Sequence, residues 1–172
     1  KVDFKGFYYL PRIIKAAKVG DAAILKTIIK ILIKEKIKVI RSNTYNPDLT
    51  LSKGCHTILK PNIKDLISVN RGIKSLGVIN PNNHVQGLVV RDSIIVGKEK
   101  IFGTKKMLQK ISKDKKSQGI LIKFPKKNQD LRIDLPTIGF DTLKDCKKSG
   151  IKGIVLKSKK NIFIDKNKSI KV

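Results

Sequence analysis

The 172-residue sequence has no Trp, one Met and two Cys, and only 5% of its residues are aromatic. So few aromatics leave little for nucleobases to stack upon. Cys55 and Cys146 are far apart, form no CxxC and have no paired His nearby. A zinc site, which needs about four closely spaced ligands, is therefore excluded. The expectation is two free, mostly buried thiols in a reducing cytoplasm. His56 and His84 follow unrelated apolar stretches and read as surface or loop residues, not catalytic bases. No apolar run approaches the roughly 20 residues that span a bilayer. The longest, residues 24–33, is broken by Lys26 and Lys30, and no secretory signal is visible. Neither GxGxxG nor GxxxxGK[ST] occurs, and GxSxG and HExxH are also absent, which removes the commoner nucleotide-binding and hydrolase solutions. The sequence opens on Lys1 and not on Met, so upstream sequence is expected.

Acidic residues are scarce: 13 Asp and Glu face 39 Lys and Arg, a formal net charge of +26. Such a charge invites a nucleic-acid reading. Three features weigh against it. Arg, whose fork reads bases and phosphates, occurs only at 12, 41, 71, 91 and 132. The Lys surplus accompanies abundant Ile and Asn, as in an AT-rich genome. Aromatics are few. A general affinity for anionic surfaces remains, whether phosphate groups or the inner face of a membrane. Lys-rich runs such as Lys105-Lys106 and residues 113–116 read first as solvated surface, with membrane docking as the functional alternative. Hydrophobic residues at 40% with 30% charged residues describe a globular chain, long enough to bury roughly 70% of its unfolded surface.

Asp21 after Gly20 is placed to cap a helix over about 21–36, whose apolar stripe needs a packing partner. Residues 37–40 read as a short strand and 43–54 as a turn-rich loop. Lys60-Pro61-Asn62 marks a domain boundary. Asn62 caps a helix running to about Leu76, with Gly77 as its stop, and NPNN at 80–83 is a loop. Residues 85–90 and 94–96 form a hairpin through Arg91-Asp92-Ser93. Thr104 caps a helix over 105–113, and 119–124 (GILIKF) is a strand. Asp141 caps a helix over 142–149 ended by Gly150. Residues 153–156 and 161–164 form a final pair of strands. Hairpins interleaved with helices predict an α/β fold of mixed α+β character, not a pure Rossmann sheet.

The strand at 119–124 delivers residues 126–139, KKNQDLRIDLPTIG, at its carboxyl end. Asp130 and Asp134 stand there four residues apart, with Arg132 between them. Two readings remain open from spacing alone. The carboxylates brace nearby backbone N–H groups of a loop, or they hold a hard cation that polarises a phosphoryl oxygen and orients a water.

The segment GILIKFPKKNQDLRIDLPTIGFDTL resembles a motif of the LpxI-type UDP-2,3-diacylglucosamine diphosphatases of lipid A biosynthesis. There it reads roughly G-V-L-V-K-x-P-K-P-x-Q-D-x-R-x-D-L-P-T-I-G-x-x-T. VQGLVVRDSIIVGKEKIFGTKKML is similar to a second family segment, residues 1–40 to the end of its N-terminal domain, and NPDLTLSKGCHT to its linker. The resemblance implies that residues 1–60 are the remainder of an N-terminal α/β domain with its linker. Residues 61–172 would be a C-terminal catalytic domain with a mixed sheet and helices, and a Gly-rich start would lie upstream. It further implies a hydrolase of the UDP-diacylglucosamine pyrophosphate that yields UMP and 2,3-diacylglucosamine 1-phosphate, with Mg2+ as metal. Asp130 and Asp134 would be catalytic and, with Glu99, metal-binding. Lys123, Lys126 and Arg132 would neutralise the diphosphate, Gln129 would hydrogen-bond it or the sugar, and Thr104, Thr137 and Gly139 would contact substrate. The implied partners are the UDP-linked diacylated sugar, the anionic inner-membrane surface and a second copy in a homodimer; the implied place is cytoplasmic, peripheral at the inner membrane. A non-catalytic basic module for anionic lipid or nucleic acid is the alternative. One departure stands out. The family's E-G-T-D segment reads Phe102-Gly103-Thr104-Lys105 here, so two acids are replaced while Glu99 keeps its matched position.

Overall fold

The computed structural model describes residues 3–79, 85–111, 118–127 and 129–170. Calls on the 80–83 loop, on His84 and on the lysines of 113–116 lie outside them. Among the described residues are six α-helices and a four-stranded mixed sheet, the mixed α+β architecture expected from the sequence.

The chain opens with a helical pair, α1 (Phe4–Ala17) and α2 (Asp21–Lys34). Asp3 caps α1 by accepting a 2.7 Å hydrogen bond from the Gly6 N–H. The first helix has no counterpart in the sequence reading, although its apolar residues fall at helical spacing around Pro11. Glu35, just past α2, ties the pair: it accepts from the Tyr9 hydroxyl at 2.5 Å and from the Lys5 ammonium. Gly20, with φ at 127°, is the N-cap of α2, so Asp21 is its first residue and not its cap. The strand expected at 37–40 is absent. A strand needs a sheet edge to pair with, and Ile37 and Ile40 lie exposed without one.

A linker of single 3-10 turns leads to α3 (Ile63–Ile79). Asn62 begins this helix as expected, through a reciprocal capping pair: Asp65 N–H donates to Asn62 Oδ1 at 2.9 Å and Asn62 N–H to Asp65 Oδ2 at 3.1 Å. Gly77 does not stop it; the helix continues to Ile79. The sheet contains β1 (Gly87–Arg91), β2 (Ile94–Lys98), β3 (Gly119–Lys123) and β5 (Ile151–Leu156) in the order β2-β1-β3-β5. β1 is antiparallel to β2 and β3, while β3 and β5 run parallel. The hairpin turn is at Asp92 and Ser93, both with positive φ, and a bulge between Val89 and Val90 leaves Val96 unpaired.

Alternation along β1 and β3 divides the core into two layers. Leu88, Val90, Ile120 and Ile122 face α3 with Leu76. Val89 and Leu121 face Met107 and Leu108 of α4 (Gly103–Lys110) and Cys146 of α5 (Phe140–Lys148). The core is therefore a helix–sheet–helix sandwich. A second, two-stranded parallel sheet pairs β4 (Thr137–Ile138) with β6 (Ile162–Phe163), and α6 (Lys166–Ile170) follows. The last two strands thus pair with β3 and β4 and not with each other. α4 begins two residues earlier than expected and is capped by Phe102, while α5 is capped by Gly139 with Asp141 inside it. Gly150, at φ 69°, does follow α5 as its left-handed stop. Cys146 is buried, and burial pushes its thiol pKa up to about 12. Cys55 is exposed, contrary to the expectation of two mostly buried thiols. His56 is half-buried, with Nε2 3.0 Å from the Ser52 carbonyl.

α3 sits close to the sheet because Gly72 has no side chain. A Cβ there would stand 2.2 Å from Ile122 Cδ1 and 2.7 Å from Val90 Cγ2. Gly72→Ala would gain about 1 kcal/mol in helix propensity and lose about 1–3 kcal/mol to overpacking. The expected outcome is a net loss of about 1 kcal/mol, read as a lower urea midpoint at unchanged slope. A midpoint at or above that of the parent chain would refute the close contact.

Candidate active site

β3 is the buried centre of the sheet, and the loop carrying the two aspartates leaves its carboxyl end before crossing through α5 to β5. Crevices at the carboxyl ends of parallel strands are where open α/β sheets place ligands.

At this end Lys123 shares a face with Leu121 and is buried against α4. Its ammonium donates to Glu99 Oε1 at 3.2 Å and to the Thr104 hydroxyl. Thr104 in turn donates to the same Glu99 oxygen at 2.8 Å. Glu99 is only 6% exposed. Its backbone is fixed by a 2.8 Å bond from its N–H to the Gly87 carbonyl. Its other oxygen, Oε2, is buried with no donor among the described residues. A Cβ at Gly87 would stand 2.8 Å from that oxygen, so glycine leaves the carboxylate its room. Thr104 therefore binds Glu99 instead of capping α4. Asn161, unmarked in the sequence reading, is 2% exposed. Its Nδ2 donates to the Lys123 carbonyl at 3.0 Å and its Oδ1 accepts from Lys157 N–H at 2.9 Å, joining the ends of β3 and β5. Its only sequence signal is an Asn in a lysine-rich turn, too common to single out.

Gln129 folds back toward β1. Its Oε1 accepts from Lys126 N–H and from Gln86 Nε2, both at 2.9 Å, and its own Nε2 is buried with no acceptor among the described residues. Gln86 is a second site residue that sequence reasoning missed. Asp130 is gripped by Arg132: Nε lies 2.9 Å from Oδ1, Nη2 2.7 Å from Oδ2, and the Arg132 N–H 3.0 Å from Oδ1. These bonds, side chain first, hold its pKa down from 3.8 to about 2. The backbone turns at the same place, with Ile133 and Asp134 N–H groups donating to the Asp130 carbonyl. Asp130 thus braces its loop. The half-buried carboxylate of Asp134 makes no hydrogen bond or ion pair among the described residues. Thr137 is exposed and its hydroxyl donates to the Leu135 carbonyl at 3.1 Å; Gly139 N–H donates to Thr142 Oγ1 at 3.4 Å.

The site residues thus fall into groups. Lys123, Glu99 and Thr104 form one network, Gln129 and the Lys126 backbone a second, and Asp130 with Arg132 a third. Glu99, Asp130 and Asp134 do not gather as a metal-holding set: among the described residues no three His, Cys, Asp or Glu side chains do. Two of these acids are already engaged by cations.

A mixed-sheet sandwich with a polar site at the carboxyl end of its central strand defines the class. Residues 52–172 match the LpxI C-terminal domain family, and the chain belongs to it. The chain is also 27% identical over 172 residues to a Caulobacter vibrioides protein, "UDP-2,3-diacylglucosamine pyrophosphatase LpxI". That match covers 95% of this chain and 61% of the relative, so the chain spans less than two thirds of the relative's length.

Lys123 and Glu99 are each 8% exposed in their side chains. Removing one partner would strand the other's charge. Glu99→Ala or Lys123→Ala should each cost about 3–5 kcal/mol in chemical unfolding. Glu99→Leu with Lys123→Met should cost less than either single change. Additive losses would show that the charges do not depend on each other.

Because the folded-state pKa of Asp130 is depressed, its pairing stabilises the loop fully above about pH 4 and is lost as pH falls toward 2. A carbon-detected NMR titration should place the Asp130 midpoint near 2 and, in Arg132→Ala, back near 3.8. An unmoved midpoint would mean that the guanidinium does not set it.

Proposed function

We propose that the protein hydrolyses the pyrophosphate bond of UDP-2,3-diacylglucosamine, giving UMP and 2,3-diacylglucosamine 1-phosphate in lipid A biosynthesis. In this reading it works peripherally at the cytoplasmic face of the inner membrane. Residues 61–172 are its C-terminal domain and 1–60 the end of an N-terminal one. The observation that carries the reading is the family match over residues 52–172, with an Asp134 carboxylate that is unpaired among the described residues beside the Asp130–Arg132 pair.

The proposed roles follow from the bonding of each group. Asp134, whose carboxylate is unbonded among the described residues, orients the attacking water and takes its proton as oxygen adds to phosphorus and the bridging P–O bond breaks, the bridging oxygen leaving on the departing phosphate. Asp130 holds the Arg132 fork, whose remaining N–H groups and charge face the diphosphate; Lys126 adds a second charge. Gln129 offers the amide N–H that finds no acceptor among the described residues. Thr137 and Gly139 contact the substrate from the start of α5. Lys123, neutralised by Glu99, shapes the strand end with Thr104 more than it attracts phosphate. Among the described residues the acids do not gather as a metal-holding set. A Mg2+ would therefore be held by Asp134 alone together with the substrate's phosphate oxygens, since Mg2+ is commonly held by one or two carboxylates plus phosphate oxygens. The ion would supply charge neutralisation at the phosphoryl oxygens.

A second reading, a basic module without turnover, is favoured by the net charge of +26. It predicts steeply salt-dependent binding to arbitrary DNA and no release of UMP. In the intact gene product, Asp134→Ala should lower UMP release by about 100-fold or more at unchanged thermal midpoint. Asp130→Ala should also lower it, with a raised KM from the loosened Arg132. Parent-like release from both variants would sink the site assignment, and no release from the parent protein would favour the basic module.

A further inference from the structure

Residues 94–111 hold five lysines and a single acid, Glu99, which is buried. Between β2 and α4 the chain makes a short tip whose two roots are pinned. On one side Glu99 N–H bonds the Gly87 carbonyl and its side chain holds Lys123 and Thr104. On the other, Gly103 at φ 80° closes the turn by donating its N–H to the Lys100 carbonyl at 2.9 Å. Between these anchors Ile101 and Phe102 project, 90% and 68% exposed.

Neither residue serves the fold. Phe102 occupies the N-cap of α4, where Ser, Thr, Asp or Asn would satisfy an orphan N–H, and makes no side-chain cap bond. Around the pair stand the exposed lysines 98, 100, 105 and 106, with Lys106 Nζ 5.6 Å from the Phe102 ring centre. A fixed apolar tip within a ring of cations matches the interface of an anionic bilayer. There apolar side chains enter the acyl boundary while basic groups meet the headgroups, each lysine strengthening binding roughly fivefold. Nucleic acid fits less well: the more exposed of the two residues is aliphatic and cannot stack on a base, and the flanking cations are all Lys.

We propose that the 100–106 tip seats the protein on an anionic lipid surface, with Ile101 and Phe102 inserted and lysines 98, 100, 105 and 106 on the headgroups. The commitment to lipid rests in part on the lipid-linked substrate proposed above. The tip includes Thr104, which accepts from Lys123 at the end of β3, so docking there brings the bilayer to the candidate active site.

The test uses the chain with vesicles of phosphatidylethanolamine and phosphatidylglycerol, and with vesicles of phosphatidylcholine alone. Binding should be confined to the anionic vesicles, and Ile101→Ser with Phe102→Ser should weaken it about tenfold or more at unchanged thermal midpoint. Because the sequence has no Trp, Phe102→Trp gives a single reporter. Its emission should shift to the blue on anionic vesicles and be quenched by lipids labelled in the acyl chain. Parent-like vesicle binding by the Ser variant, an unshifted reporter, or equal binding to neutral vesicles would each overturn the proposal. So would a Ser variant that loses DNA binding or self-association in place of vesicle binding. UMP release from detergent-dispersed substrate by the intact gene product tests the hydrolase reading separately. Release without vesicle docking overturns the tip alone, and docking without release overturns the hydrolase alone.

Discussion

The Glu99–Lys123 pair is the constraint around which this end of the molecule is arranged. Both side chains are almost wholly withdrawn from water, where an ion without a partner costs several kcal/mol or more. Each of the surrounding choices serves that pair. Gly87 leaves space for the carboxylate, the β1 backbone holds Glu99 in place, and Thr104 sits between the acid and the ammonium. Asn161 fixes the Lys123 carbonyl from the other side. Four elements, β1, the end of β2, the start of α4 and the end of β3, therefore meet at one charge pair. The loop with Asp130 and Asp134 leaves from that junction, so its starting direction is set by a buried ion pair and not by loop packing alone.

Local signals were legible where local chemistry decides the outcome. The Asn62 cap, the hairpin turn at Asp92-Ser93, the apolar run of β3 and the Gly150 stop were all visible in the sequence, because each depends on a few adjacent residues. What failed was whatever depends on partners. Residues 37–40 have strand composition and no edge to join, and Gly77 has stop chemistry in a helix that the sheet holds intact. The pairing of β6 with β4, and not with β5, is a tertiary fact. In the site, the bracing reading of Asp130 and the chemical reading of Asp134 were alternatives for the same pair from spacing alone. In the fold the Asp130 carboxylate bonds its own loop, whereas the Asp134 carboxylate makes no bond among the described residues. Gln86 and Asn161 were beyond reach, since an amide shows its role only once its partners are in place.

The departure from the family pattern at positions 102 and 105 takes a different meaning once the segment is seen in place. Residues 99–104 have an inward half and an outward half. Glu99 and Thr104 are in the buried network, while Phe102 and Lys105 are exposed. Exchanging acids for an aromatic and a lysine there leaves every observed bond of the Glu99 network intact. The change falls on the surface potential beside the site, where a carboxylate would repel an anionic partner and an ammonium attracts one. The same pinned turn that keeps Glu99 against Lys123 therefore also fixes what is displayed outside. A rigid root is what allows an apolar residue to project without collapsing onto the nearest core, so the buried pair and the exposed tip are two consequences of one short, doubly anchored segment.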